Sequence, residues 1–154
     1  MRSRPIAALV LGAAAACSMK SPTTTTVPAT TTGPLDDQGK RQEITALSTQ
    51  IRQWRLDASL AVEPDADSVM AMSEVSPAEA ARACDEPAAT GGTCGEVCDL
   101  GGAICANAAA ICRIADDLAG DVWAQGKCSS AKASCREAEE RCCTCRRSRA
   151  VGMP

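Results

Sequence analysis

Apolar residues recur in helical registers along this chain, and each register predicts an element. Between Arg41 and Val62, the positions Ile44, Leu47, Ile51, Trp54, Ala58 and Ala61 step by three and four residues, which is one face of an amphipathic helix over 41–62. Arg41, Gln42, Glu43, Gln50 and Arg52 fall mainly off that stripe, and Glu63-Pro64-Asp65 ends it. A stripe of fewer than three heptads is short for a self-sufficient coiled coil, so it needs a partner surface. Further along, Val97, Ile104, Ile111 and Leu118 repeat every seven residues, and so do two sets of cysteines: Cys98, Cys105 and Cys112, then Cys128, Cys135 and Cys142. Seven residues is nearly two helical turns, so the three thiols of each set share one helix face.

The two cysteine sets lie symmetrically about Gly120. Folding the chain there pairs Cys98 with Cys142, Cys105 with Cys135 and Cys112 with Cys128, which predicts an antiparallel helical hairpin crossed by disulfide rungs within residues 94–147. The first helix is expected from about Gly95 to Leu118 and the second from about Val122 to Arg147, with Asp121 as cap after the break at Gly120. A disulfide wants α-carbons roughly 5.5 to 6 Å apart, whereas packed helices have axes about 8 to 10 Å apart. Beside the cysteines run Gly101, Ala108 and Ala115 on the first helix and Ala124, Ala131 and Ala138 on the second. These small side chains permit the closer approach.

The Val97 to Leu118 stripe faces polar counterparts on the second helix, Lys127, Ser134 and Arg141, so the hairpin alone does not cover it. Two accounts remain open. At about 1.5 Å per residue the stripe is roughly 31 Å long and the Ile44 to Ala61 stripe roughly 26 Å, which suits the 41–62 helix as third member of an all-α bundle. Homodimerisation through the same stripe is the other. Residues 63–93 read as loop, with a short helix from Ser76-Pro77-Ala78-Glu79 to about Cys84: serine cap, proline in the first helical position, glutamate in the third. Cys94 continues the ladder to within one residue of ideal register if paired with Cys145, leaving Cys84 for Cys143; exchanging Cys143 and Cys145 is the alternative.

The N-terminal third carries no such periodicity. Arg2 and Arg4 precede an apolar run from Ile6 to Ala16, too short to span a bilayer and flanked as in a signal peptide, assigned to 1–16. Its end, Leu11-Gly12-Ala13-Ala14-Ala15-Ala16-Cys17, resembles the lipobox of bacterial lipoproteins, with Ala14 in place of the favoured leucine. Cys17 is the expected lipidation site, and cleavage after Ala16 to give a soluble secreted protein is the alternative. Residues 17–40 are rich in Thr and Pro with almost nothing to bury, a disordered linker that would tether the folded part to a membrane. Residues 148–154 form a tail.

Composition agrees with export. The chain has no Phe, no Tyr and two Trp among 154 residues, so its core lacks large side chains and needs staples. Of its eleven cysteines, all but Cys17 lie from Cys84 onward; the remaining ten are an even number, as a closed disulfide framework in an oxidising compartment requires. Loss of Arg2 and Arg4 with the signal peptide takes the formal charge from -3 to -5, which gives no reason to expect a nucleic-acid partner.

Signals for chemistry are weak. The chain has no histidine, so the commonest general base is missing. The seven-residue cysteine steps place thiols of one arm roughly 10.5 Å apart, too far for one metal ion to gather neighbouring rungs. Cys142-Cys143-Thr144-Cys145 is the one crowded group, with a soft metal or disulfide exchange as its alternative to anchoring the chain. Ser129-Ser130-Ala131-Lys132 matches S-x-x-K but lacks the further motifs of that chemistry. Adjacent carboxylates, Asp116 with Asp117 and Glu139 with Glu140, point in different directions on a helix and suit solvated faces. Trp54 and Trp123 read as packing residues, and Arg146, Arg147 and Arg149 suit the negative end of the last helix.

The segments Cys98-Asp99-Leu100, Ala103-Ile104-Cys105, Ile111-Cys112-Arg113-Ile114-Ala115 and Ala131-Lys132-Ala133-Ser134-Cys135 give the chain's final third a character that resembles cysteine-rich predicted lipoproteins of myxobacteria. That resemblance implies localisation in a bacterial cell envelope and the stapled architecture, and brings no biochemical activity. The resulting expectation is a non-enzymatic exported lipoprotein, without cofactor or metal, anchored by its lipid. It would present a helical structural or interaction module to a protein partner or a second copy. A thiol-based metal-binding or redox protein of the envelope is the alternative.

Overall fold

The computed structural model describes residues 36–83 and 93–150. The segments expected as export signal and linker up to residue 35, with Cys17, and also Cys84 and residues 151–154, lie outside the described residues. Among those described, all regular structure is helical: α1 (Asp37–Asp57), α2 (Ala66–Ala71), α3 (Pro77–Ala80), α4 (Thr93–Asp116) and α5 (Val122–Ala150). The predicted all-α, disulfide-laddered hairpin is present as α4 and α5, and the predicted third helix is α1.

Helix α4 turns into α5 at Gly120, whose φ of 83° is a left-handed conformation that glycine adopts without strain. Asp121 caps α5 as its position suggested, its Oδ1 accepting from the backbone N–H groups of Trp123 (3.1 Å) and Ala124 (3.2 Å). Gln125 Nε2 donates to Ala115 O at 3.0 Å, satisfying a carbonyl at the end of α4.

Helix α1 covers the stripe that the hairpin leaves bare, packing on both α4 and α5. Ile44, Ile104 and Ile111 are fully buried between them, with Ile51 nearly so. Truncating one such isoleucine to alanine costs about 2 to 5 kcal/mol. By length and composition α4 is apolar enough to cross a membrane, but Ile104, Ala108, Ile111 and Ala115 are buried within the bundle.

Four other helices, α4, α1, α2 and α3, pack against α5 and enclose its middle. Ala131, Lys132, Ala133, Ser134 and Cys135 are therefore buried in unbroken succession. Ser134, a polar counterpart of the α4 stripe, is itself buried, because α1 packs over this part of α5.

Helix boundaries differ from those predicted where capping residues decide them. The first helix starts at Asp37, because the Asp36 side chain accepts from Gly39 N at 2.7 Å. It stops at Asp57, short of Val62. Leu60 N donates to Arg55 O (2.8 Å) and Ser59 N to Leu56 O (2.9 Å), the paired bonds of a Schellman motif, with Ser59 at φ 59°. Ala61 is consequently exposed and off the stripe. Helix α2 forms where loop was expected, its start fixed by Asp65 Oδ1 accepting from Ser68 N at 2.8 Å. The Ser76 and Glu79 capping box opens α3 as predicted, but that helix ends at Ala80.

Ser59 holds the left-handed conformation without the freedom of glycine. Replacing it, Ser59→Gly, should raise stability by about 1 kcal/mol, measured by chemical denaturation under non-reducing conditions. An unchanged or lower midpoint would show that this turn carries no strain.

Candidate functional site

Four disulfides join α4 to α5: Cys94–Cys145, Cys98–Cys142, Cys105–Cys135 and Cys112–Cys128. The three rungs inferred from symmetry about Gly120 have α-carbons 4.8, 4.6 and 4.6 Å apart, and the fourth rung 5.7 Å. Cys143 is also disulfide-bonded, and its proposed partner Cys84 lies outside the described residues.

Such close rungs need helices whose facing side chains are small. Ala108, Ala115, Ala124, Ala131 and Ala138 are all buried in that seam. A Cβ on Gly101 would lie 3.4 Å from Glu139 Oε1 and 3.5 Å from Ala138 O, so Gly101 brings α4 directly onto the backbone of α5. Glu139 Oε1 also lies 3.9 Å from Cys105 Sγ. Burial pushes the Glu139 carboxyl above the ordinary range, against the pull of Arg146.

Two buried cations tie the preceding segment to α5. Arg55, 1% exposed, donates from Nη2 to Glu137 Oε2 (2.6 Å) and from Nε to Ala61 O (2.8 Å). Lys132, 5% exposed, donates from Nζ to Ser73 O (3.1 Å) and Val75 O (2.7 Å). Burial holds the Lys132 pKa below the ordinary lysine value, with Asp116 acting in the opposite direction. The lysine of the S-x-x-K match is thus engaged with two carbonyls of the loop before α3. Sequence reasoning missed both cations. Lys132 falls at helical spacing with Cys128 and Cys135, and Arg55 is four residues after Ile51, so core spacing was the available signal.

The two ends of the bundle differ in chemistry. At the hairpin tip, Arg41 grips Asp121 Oδ2 through Nε (2.8 Å) and Nη2 (2.6 Å), and its guanidinium lies 5.7 Å from the centre of the partly exposed Trp123 ring. Lys127 Nζ is 6.0 Å from the same ring. Lys40 Nζ donates to Asp117 O at 3.3 Å, a second contact from the start of α1 to the hairpin tip. The hydrogen bond from Ala124 N, followed by Arg41, holds the Asp121 carboxyl below its ordinary value despite an opposing desolvation effect. Trp54 is half-buried against the core, in keeping with a packing role.

At the open end, a cavity of about 550 Å³ lies where the end of α1 meets the first turns of α4 and the last turns of α5. Ala58, Val97, Leu100 and Arg141 line it together with Cys94 and Cys145. The crowded Cys142-Cys143-Thr144-Cys145 group presents no thiolate in this state, since all three cysteines are disulfide-bonded. Among the described residues no group of three or more His, Cys, Asp or Glu converges as a metal site. No protein-family model, curated protein or solved structure matches the chain.

Two outcomes test this arrangement. Glu137→Ala leaves the Arg55 charge buried without its partner and should cost about 3 kcal/mol, with Arg55→Met costing less, both read from denaturation midpoints. Equal costs would mean that packing rather than charge dominates.

The Asp121 carboxyl has a lowered folded-state pKa, so its ionised form, held first by the Ala124 N–H and then by Arg41, contributes stability at neutral pH that is lost as pH falls from 3.8 through that lower folded-state value. Asp121→Asn keeps a capping side chain but not the charge. Its stability deficit relative to the parent, followed by thermal melts, should therefore shrink as pH drops through that region. A pH-independent deficit would remove the electrostatic account.

Proposed function

We propose that this chain is an exported, non-enzymatic lipoprotein of a bacterial envelope, whose disulfide-stapled helical module serves as a structural or interaction element. The observation that carries the reading is the ladder itself: four described rungs fasten one helix pair along its length. Disulfides of this density persist in oxidising compartments. The most deeply buried cations, Arg55 and Lys132, hold backbone and carboxylate groups within the fold. They are therefore engaged in structure rather than poised for catalysis.

Anchoring through Cys17 follows from the short apolar run ending in small residues at that cysteine, with the chain between Cys17 and α1 as the tether. One acyl chain binds a membrane weakly, and several hold firmly. The thiol-based reading remains the second class, favoured by the disulfide that borders the open-end cavity.

Intact-mass analysis of protein from its native host should show a lipidated N-terminal Cys17, and Cys17→Ser should release the protein from membranes with its rungs intact. An unmodified Cys17, or cleavage beyond it, would make the protein soluble and secreted. Thiol titration of the denatured protein should find almost no free thiol. Abundant free thiols with bound metal would instead support the metal-binding class.

A further inference from the structure

We propose that the terminal rung, Cys94–Cys145, is a thiol–disulfide exchange site whose electrophilic sulfur is Cys145 and whose leaving group is Cys94. The co-reactant is a low-molecular-weight or peptide thiolate admitted by the cavity at the open end. This inference rests on the oxidised state of the module and not on its lipid anchor.

The rung lines the 550 Å³ cavity, so an incoming thiolate has space to approach it. Its two sulfurs differ in environment. Cys145, in the last turns of α5, is partly exposed, whereas Cys94 is only 3% exposed. Cys94 is also the second residue of α4. The unpaired N–H groups and positive dipole end of a helix N-terminus stabilise a thiolate. Access therefore directs attack to Cys145, and the helix end favours departure of Cys94, because the sulfur with the lower thiol pKa leaves faster.

The other described rungs offer less. Cys112 and Cys128 are both buried, at 5% and 7% exposed. Cys105 has the Glu139 carboxyl 3.9 Å from its sulfur, and its partner Cys135 is 1% exposed. Cys98–Cys142 also pairs a partly exposed sulfur with a buried one, but neither lines the cavity, and Cys98 lies a turn further from the α4 N-terminus than Cys94. This second rung lies one turn inward and keeps α4 beside α5 when the terminal rung opens.

In the exchange, an external thiolate attacks Cys145 Sγ, a new sulfur–sulfur bond forms there, and the bond to Cys94 breaks. The electron pair departs with Cys94 as thiolate. A second external thiolate can then attack the mixed disulfide and release the oxidised small molecule, leaving both protein thiols reduced; attack by Cys94 instead restores the rung.

The mixed disulfide separates the two sulfurs. Brief treatment of the folded, oxidised protein with reduced glutathione, quenched by alkylation, should trap glutathione on Cys145 and the alkylating group on Cys94, at least about ten-fold more often than the reverse, measured by intact mass and peptide mapping. Equal trapping at the two sulfurs, or glutathione mainly on Cys94, would overturn the proposal. The unmodified protein gives a second measurement: under graded reduced glutathione in native buffer, quenched by alkylation, Cys94–Cys145 should open before Cys98–Cys142, Cys105–Cys135 or Cys112–Cys128. Earlier opening of any of those three would also overturn it.

Discussion

The separation of α4 from α5 is the constraint to which the rest of the bundle responds. Rungs with α-carbons 4.6 to 5.7 Å apart leave no volume between the helices for leucine or phenylalanine, so the seam is alanine, glycine and sulfur. A seam that thin buries little apolar area, which limits what the hydrophobic effect supplies between these helices. The larger side chains are displaced sideways onto the Val97 to Leu118 face, where α1 meets them. Stapling and three-helix packing are two consequences of one spacing.

Two attachment systems converge on α5. Covalent rungs hold it to α4, while Arg55 and Lys132 connect it to the 36–83 segment through a carboxylate and two backbone carbonyls. Polar contacts suit the second task. The stretch from Ala58 to Ser76 has little regular structure, and its carbonyls need donors when the chain packs down. A buried cation supplies several donors from one side chain, at a desolvation cost visible in the lowered lysine pKa.

The ladder was legible because disulfide reach and helical period are both rigid quantities, and together they admit few arrangements of cysteines at seven-residue steps. The same reasoning located Asp121 as a cap and the small-residue seam. What escaped it depended on contacts from distant elements. Helix α5 has weak polar and apolar periodicity because it is covered from several directions, so no pattern marked Ser134 or Lys132 as buried. The end of α1 was misplaced because its left-handed residue is Ser59 rather than the glycine that usually marks such a stop. Helix α2 has a capping aspartate but only six residues, too few for a periodic signal. Function was less legible than fold, since a stapled seam requires residue types that carry no reaction of their own.

The rungs are nested, with sequence separations of 16, 30, 44 and 51 residues from the hairpin tip outward. Loop-closure entropy favours the shortest first, and each bond that closes brings the next pair nearer, so the effective loop stays short all the way along. Oxidative folding of this hairpin thus has a built-in direction, from Gly120 toward the open end. Of the described rungs the last to be made is Cys94–Cys145, and a chain interrupted during oxidation would stop as a hairpin correctly joined at its tip and still open at its base.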